Sequence, residues 1–160
     1  MTIYVLRHAI AGVRRQGHPD ATRALTAPGM EKLRIVLRRA RQAGVSPAVI
    51  LTSPYTRAEE TAEAAAEILG CRRKVVVTKA LLPSSSPDRI WKEISAIEAS
   101  SILIAGHEPL LSQFVAFLLN CPAFKIDLKK GALVRLDVSL SGERPNGILK
   151  WMLTPKLAGA

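Results

Sequence analysis

Aromatic residues are scarce in this chain, at 4% of its 160 positions. Its core must therefore be built from aliphatic and alanine side chains, and it has few rings on which to stack nucleobases. Cysteine is almost missing as well. Cys71 and Cys121 have no metal-type partner spacing and offer no disulfide framework, so both read as small buried hydrophobes or bystanders. No apolar stretch approaches the ~20 residues of a membrane span, so no membrane partner is expected. The first residues show no charged leader followed by an apolar signal core and a small-residue cleavage site, which makes the cytoplasm the expected location. There is no internal repeat and no low-complexity linker, so residues 1–160 read as one domain with a single sizeable core.

Acidic residues are in deficit too. Thirteen Asp and Glu stand against 23 Lys and Arg, a formal net charge of +10. That balance favours anions: nucleic acid, phosphorylated metabolites, or acidic faces of partner proteins. Hydrophobic residues make up 48%, a globular composition.

Strands alternate with helices through most of the sequence. Thr2 to Leu6 reads as a strand that ends at Arg7-His8. "TAPGMEKLRIVLRRARQAG" (26–44) reads as a helix capped by Thr26, with apolar residues at 33, 36, 37 and 40 and Gly44 as its stop. "AVILTS" (48–53) is a short apolar strand, followed by a helix over 54–70 that Pro54 or a nearby threonine opens and Gly70 closes. Lys74 to Thr78 is a third strand, Pro87 to Ala99 a helix, and "SILIA" (101–105) a strand that runs into "GHEP" and a helix over 110–119. "ALVRLDVSL" (132–140) and "GILKWMLT" (147–154) alternate as strands and suit a terminal hairpin. This order predicts an α/β sandwich with a mainly parallel sheet, in which ligands bind beyond the carboxyl ends of the strands.

That rule gives the polar residues at the strand ends a meaning. Arg7 and His8 follow the first strand, Arg57 in "SPYTR" opens the helix after the second, and His107 in "GHEP" follows the fourth, with Gly106 permitting a tight turn. Arg23 in "DATRALT" precedes the first long helix. Arginine grips phosphate oxygens with a planar fork of donors, and a helix N-terminus adds backbone donors and partial positive charge. A neutral imidazole can attack phosphorus and carry the phosphoryl group covalently, while a second histidine, held cationic by the phosphate, stabilises the equatorial oxygens. Phosphoryl transfer needs mainly positioning and charge stabilisation, and this set supplies both without a cofactor or metal. Neither histidine has zinc-like ligand spacing, no Asp/Glu cluster suggests magnesium, and there is no Gly-x-Ser-x-Gly elbow for a serine hydrolase.

Each residue also has a plain structural alternative. Arg57 can pair with Glu60 or Glu63 on its own helix. His107 can be a turn residue satisfied by backbone, Arg23 a solvated loop residue, and His18 in "RRQGHPD" reads as an exposed loop histidine. For Arg7, His8, Arg57 and His107 the joint pattern outweighs these alternatives.

"LRHA", "SPYTRAEETA" and "GHEP", in that order, resemble the histidine phosphatase superfamily over nearly the whole chain. The short length and "RALT" resemble most the SixA-type phosphohistidine phosphatases. The resemblance implies a phosphoglycerate mutase-like, three-layer α/β/α fold. It also implies His8 as the nucleophile that becomes phosphorylated, Arg7, Arg57 and His107 as the phosphate pocket, and Arg23 as a further contact. The chain departs from the family at Ala9, where many relatives have glycine, and at "RALT" in place of Arg-Pro-Leu-Thr.

A clear general acid is missing. Relatives that cleave phosphate esters usually carry a Glu or Asp between the second arginine and the late histidine, because an alkoxide leaves poorly without a proton. The matching stretch here, "LLPSSSPDRIWKEI", offers only Asp88, which looks like a helix-start residue, and Glu108 beside His107 can serve as a helix cap. An imidazole leaves a phosphoramidate more easily. The expected activity is thus removal of phosphate from phosphohistidine in a protein domain. The alternative is a phosphomonoesterase for small phosphorylated metabolites, with Asp88 or Glu108 as acid. A third reading, a nucleic-acid-binding domain using "RIVLRRAR" and "CRRK", is set aside because solvated helix faces account for those charges better, so no nucleic-acid partner is expected.

Overall fold

The computed structural model describes residues 1–14, 16–139 and 144–160. The opening run forms β1 (Thr2–Arg7), an interior strand buried on both faces. Its side chains alternate between two cores. Ile3 and Val5 pack with Ile104, Leu111 and Phe114, whereas Tyr4 and Leu6 pack with Leu33, Val36 and Leu37. Two apolar faces are why its sequence reads as a continuous run rather than an alternation. Each fully buried aliphatic or aromatic side chain of this kind contributes about 1.5–3 kcal/mol relative to exposure.

The helix α1 (Ala27–Gln42) is capped as the sequence predicts: Thr26 Oγ1 accepts from the Gly29 amide at 3.0 Å, and Gly44 follows the last turn with φ of +81°. Leu33, Val36, Leu37 and Ala40 are all buried. Next come β2 (Val49–Thr52), α2 (Thr56–Leu69), β3 (Val76–Val77), α3 (Pro87–Ser95), β4 (Ser101–Gly106), α4 (Leu110–Leu118), β5 (Leu133–Ser139), β6 (Asn146–Leu153) and α5 (Pro155–Ala158). The six strands form one sheet in the order β3-β2-β4-β1-β5-β6. The first four pair in parallel, and β5 and β6 add an antiparallel hairpin at one edge. α1, α2 and α5 share one core and α3 and α4 the other, so the layers run α/β/α.

Several elements differ from the sequence reading. The third strand shrinks to two residues because Val76 and Val77 lie on the sheet's outer edge, about half exposed, with only Leu51 and Thr52 to pair with. The helix expected over 87–99 stops at Ser95, where three-residue bonds from Ala96 to Glu93 and from Ile97 to Ile94 tighten the chain into a turn ahead of β4. α2 begins after Tyr55, and neither Pro54 nor a threonine caps it with a side chain. α5 was not foreseen; Thr154 Oγ1 caps it by accepting from the Leu157 amide. Leu140, the last residue of the strand expected over 132–140, lies outside the described residues. Gly106 has no positive φ and forms no tight turn; a Cβ there would lie 3.3 Å from the Leu111 side chain, so close packing is what it permits.

Candidate active site

The sheet order explains how distant segments meet. β4 lies between β2 and β1, and its register pairs Arg7 with Gly106 and Thr52 with Ala105. Three neighbouring parallel strands therefore end at one level, and their next residues are His8, His107 and Ser53. The His8 amide donates to the Gly106 carbonyl at 3.0 Å and the Ser53 amide to the Ala105 carbonyl at 3.1 Å, extending the ladder one step past the strands.

His8 is buried, and its ring is oriented by the backbone of the next residue. Nδ1 lies 2.7 Å from the Ala9 carbonyl oxygen. A carbonyl can only accept, so Nδ1 carries the proton and Nε2 presents its lone pair. Burial first, and then the positive charges of Arg57, Arg7 and Lys130, push its pKa down to about 4 against the opposing pull of the Ala9 bond. At neutral pH the ring is an uncharged base.

His107, also buried, sits with its ring centroid 5.1 Å from that of His8. Its Nε2 is 2.8 Å from Ser53 Oγ, and the Tyr55 ring meets it edge-on at 5.0 Å. Burial, with His8 and Arg57 nearby, lowers its pKa to about 3. Its Nδ1 has no hydrogen-bond partner among the described residues, and neither has the buried Nε of Arg7. Arg7 Nη1 is anchored on the Leu128 carbonyl at 2.7 Å.

Arg57 reaches the same spot from the first turn of α2. Its Nε donates to His8 Nε2 at 3.2 Å, and its Cζ stands 4.9 Å from the centre of the Tyr55 ring. It does not pair with Glu60 or Glu63. The first turn aims the side chain inward, to 4% exposure, where it bonds Asp20, and Glu60 instead accepts from the Leu25 amide. Thr61, fully buried, ties the loop after β1 to α2: it accepts from the Ala9 amide at 3.2 Å and donates to the Arg57 carbonyl at 2.7 Å.

Arg23 is half-buried, but its guanidinium is directed to Asp20 Oδ1 and the Gly12 carbonyl. Burial alone would raise the Asp20 pKa; the bonds to Arg23 and Arg57 outweigh it and hold the carboxyl below its usual value. His18 is an exposed loop residue, as read from the sequence. Asp88 is exposed in the first turn of α3, and Glu108 accepts from the Ser112 amide and hydroxyl at the start of α4. Both acid candidates thus serve helix starts. Asp20, Ser53, Tyr55 and Thr61 went unrecognised in the sequence, although all four lie within or beside the motifs "DATRALT" and "SPYTRAEETA". Among the described residues, no cluster of three or more His, Cys, Asp or Glu side chains is placed to hold a metal ion, and no helix is long and apolar enough to cross a membrane.

Two neutral histidines and two inward-turned arginines at the carboxyl edge of this sheet define a class, the α/β proteins of phosphoglycerate mutase-like fold. Residues 3–82 match the model of the histidine phosphatase superfamily (branch 1). An uncharacterized protein of Picosynechococcus sp. is 34% identical over 140 residues, covering 85% of this chain and 84% of the relative. The phosphohistidine phosphatase SixA of Escherichia coli is 26% identical over 159 residues, covering 97% and 94%. The solved structure of the protein histidine phosphatase SixA complexed with tungstate aligns with a TM-score of 0.87 at 26% identity, over 98% of each chain. The chain belongs to the histidine phosphatase superfamily.

Proposed function

We propose that this chain is a phosphatase that acts through a phosphohistidine on His8 and removes phosphate from phosphohistidine in a protein. The observation that carries the reading is the setting of His8 Nε2. The opposite ring nitrogen is held by Ala9, and the Arg57 guanidinium stands 3.2 Å from the lone pair. In the first step the Arg57 Nε–H turns from His8 Nε2 to a phosphate oxygen, and the freed lone pair attacks phosphorus. The P–N bond breaks, the substrate ring, protonated on its other nitrogen, leaves as neutral imidazole, and the phosphoryl group is carried on His8. Water then attacks the same phosphorus, releasing inorganic phosphate and the neutral ring. Positive charge that develops on the ring during attack is met by the Ala9 carbonyl through the Nδ1 proton. Arg7, Arg57 and the start of α2 supply donors to the equatorial oxygens. His107 is neutral without an anion, and a phosphoryl group beside it favours its protonated form, making it a further donor.

The carboxylates support the choice of leaving group. Asp88 is exposed on α3, Glu108 is bonded to Ser112, and Asp20 is held ionised between two guanidiniums. None is set to deliver a proton to an alkoxide, whereas an imidazole scarcely needs one. SixA of Escherichia coli, a phosphohistidine phosphatase by name, and the SixA structure that holds tungstate, a tetrahedral oxyanion, are in keeping with this substrate and pocket. The test is phosphate release by the purified chain. Phosphohistidine protein should be turned over faster than aryl or sugar phosphates, and His8→Ala should abolish both turnover and the trapped phosphoenzyme. Full activity in His8→Ala would sink the mechanism, and faster ester cleavage lost in Asp88→Asn or Glu108→Gln would replace the substrate.

A further inference from the structure

Arg57 is held along both edges. Its inner edge donates from Nε to His8 Nε2, while its outer edge donates from Nη1 to the Asp20 carbonyl at 2.8 Å and from Nη2 to Asp20 Oδ2 at 3.0 Å. Asp20 is fixed in turn, since its other oxygen accepts from Arg23 Nε at 2.8 Å and Arg23 Nη1 donates to the Gly12 carbonyl at 2.9 Å. The result is a continuous line: His8, Arg57, Asp20, Arg23, Gly12. Asp20 lies in a one-turn 3-10 segment, Asp20–Thr22, which buries none of its residues, so these polar bonds are its main attachments to the pocket.

A carboxylate in this place has two opposed effects. It orients the Arg57 guanidinium by one charge-assisted bond, beside the bond to the Asp20 backbone carbonyl. It also places a negative charge beside a site meant for an anion, which weakens attraction of a phosphate in the ground state. A residue kept only for phosphate affinity would not be acidic. The balance makes sense if the aim of Arg57 matters most when charge is redistributed in the transition state, where fixed donors act most strongly.

We propose that Asp20 is a positioning residue: it holds Arg57 beside His8 Nε2, where the oxygens of the transferred phosphoryl group lie, and Arg23 acts on the reaction through Asp20 rather than by touching the phosphate. This inference rests on the phosphatase reading above. It makes Asp20 a determinant of kcat that works against anion affinity.

The experiment compares the wild-type chain with Asp20→Asn, Asp20→Ala, Arg23→Ala, Arg57→Ala and the double variant Asp20→Ala/Arg57→Ala. The readouts are kcat and KM on a chemically phosphorylated histidine-containing protein and Kd for tungstate. Asp20→Asn should lower kcat about 10- to 100-fold, below the full cost of losing a preorganised donor, with KM and tungstate Kd unchanged or lower. In the Arg57→Ala background, adding Asp20→Ala should change kcat by less than about 3-fold, because contacting residues in one network are strongly non-additive. Arg23→Ala should lower kcat in the same direction, with tungstate Kd within about 3-fold of wild type; a ~10-fold weaker Kd would mark it as a direct phosphate contact and overturn its assigned role. If Asp20→Ala does not fold, Asp20→Asn, of the same shape, closes the cycle. Wild-type kcat in Asp20→Asn, an equal loss in both backgrounds, or a tungstate Kd that weakens together with kcat overturns the role of Asp20. A wild-type chain that releases no phosphate overturns the phosphatase reading and this inference with it. A wild-type chain that does, matched by Asp20→Asn, overturns this inference alone.

Discussion

Replacing His8 by asparagine removes one titrating group from the pocket, and the effect on stability depends on pH in a way the structure dictates. Burial and the charges of Arg57, Arg7 and Lys130 lower the His8 pKa from 6.5 to about 4. Above pH 6.5 the ring is neutral in both folded and unfolded chains, so it adds no pH dependence. As pH falls below 6.5 the unfolded chain gains a proton that the folded chain refuses until about pH 4. Stability is therefore lost on acidification across that window. Integrating the two titrations gives a loss of about 2 kcal/mol by pH 5 and about 3 kcal/mol by pH 4 from this residue alone. The assay is urea unfolding at pH 7, 6, 5 and 4 on the wild-type chain and His8→Asn. The carboxylates titrate in both proteins, so the difference between the two reports the loss of His8, together with the smaller effect of removing its charge from beside His107. His8→Asn should gain about 3 kcal/mol relative to wild type between pH 7 and pH 4, whatever its stability at pH 7. Parallel pH curves for the two proteins would refute the argument that His8 is buried as a neutral base.

Other substitutions probe the scaffold that aims these groups. Thr61→Val keeps the shape but leaves the buried Ala9 amide without its acceptor, and should cost about 1–3 kcal/mol in urea unfolding together with a fall in kcat. Gly29→Ala would place a Cβ 2.3 Å from the Ile10 carbonyl oxygen; the helix start must shift, so thermal melting should show a clear loss of Tm despite alanine's higher helix propensity. Ser53→Ala removes the partner of His107 Nε2. It should lower kcat while Tm changes little, and a wild-type kcat would deny that the serine orients the ring.

Local elements were legible wherever a few neighbouring residues decide the outcome. The Thr26 cap, the apolar set Leu33, Val36, Leu37 and Ala40, and the strand over Thr2 to Leu6 all follow from capping chemistry and periodicity within a turn or a strand. So did the placing of Arg7, His8 and His107 at strand ends, where apolar runs stop, and of Arg57 in the first turn of the helix after β2. The resemblance to a known family then supplied the roles that strand ends alone leave open.

Tertiary structure decided the rest. Nothing local says that β4, nearly a hundred residues after β1, inserts between β1 and β2; that order is what stands His107 beside His8. The Asp20–Arg57 bond spans 37 positions and joins a loop to a helix start, so no periodicity announces it. Edge position cut β3 to two residues, and a change of path at Ala96 ended α3 early. The resemblance implied Arg23 as a further phosphate contact; the bonds of its fork to Asp20 and the Gly12 carbonyl follow from loop packing that no local pattern announces. The sequence by itself determined that Arg7, His8 and His107 stand at the sheet's carboxyl edge, since they follow directly on strands whose apolar runs are buried. Which of them touch was decided only by strand order and loop packing, where many small long-range contacts add up.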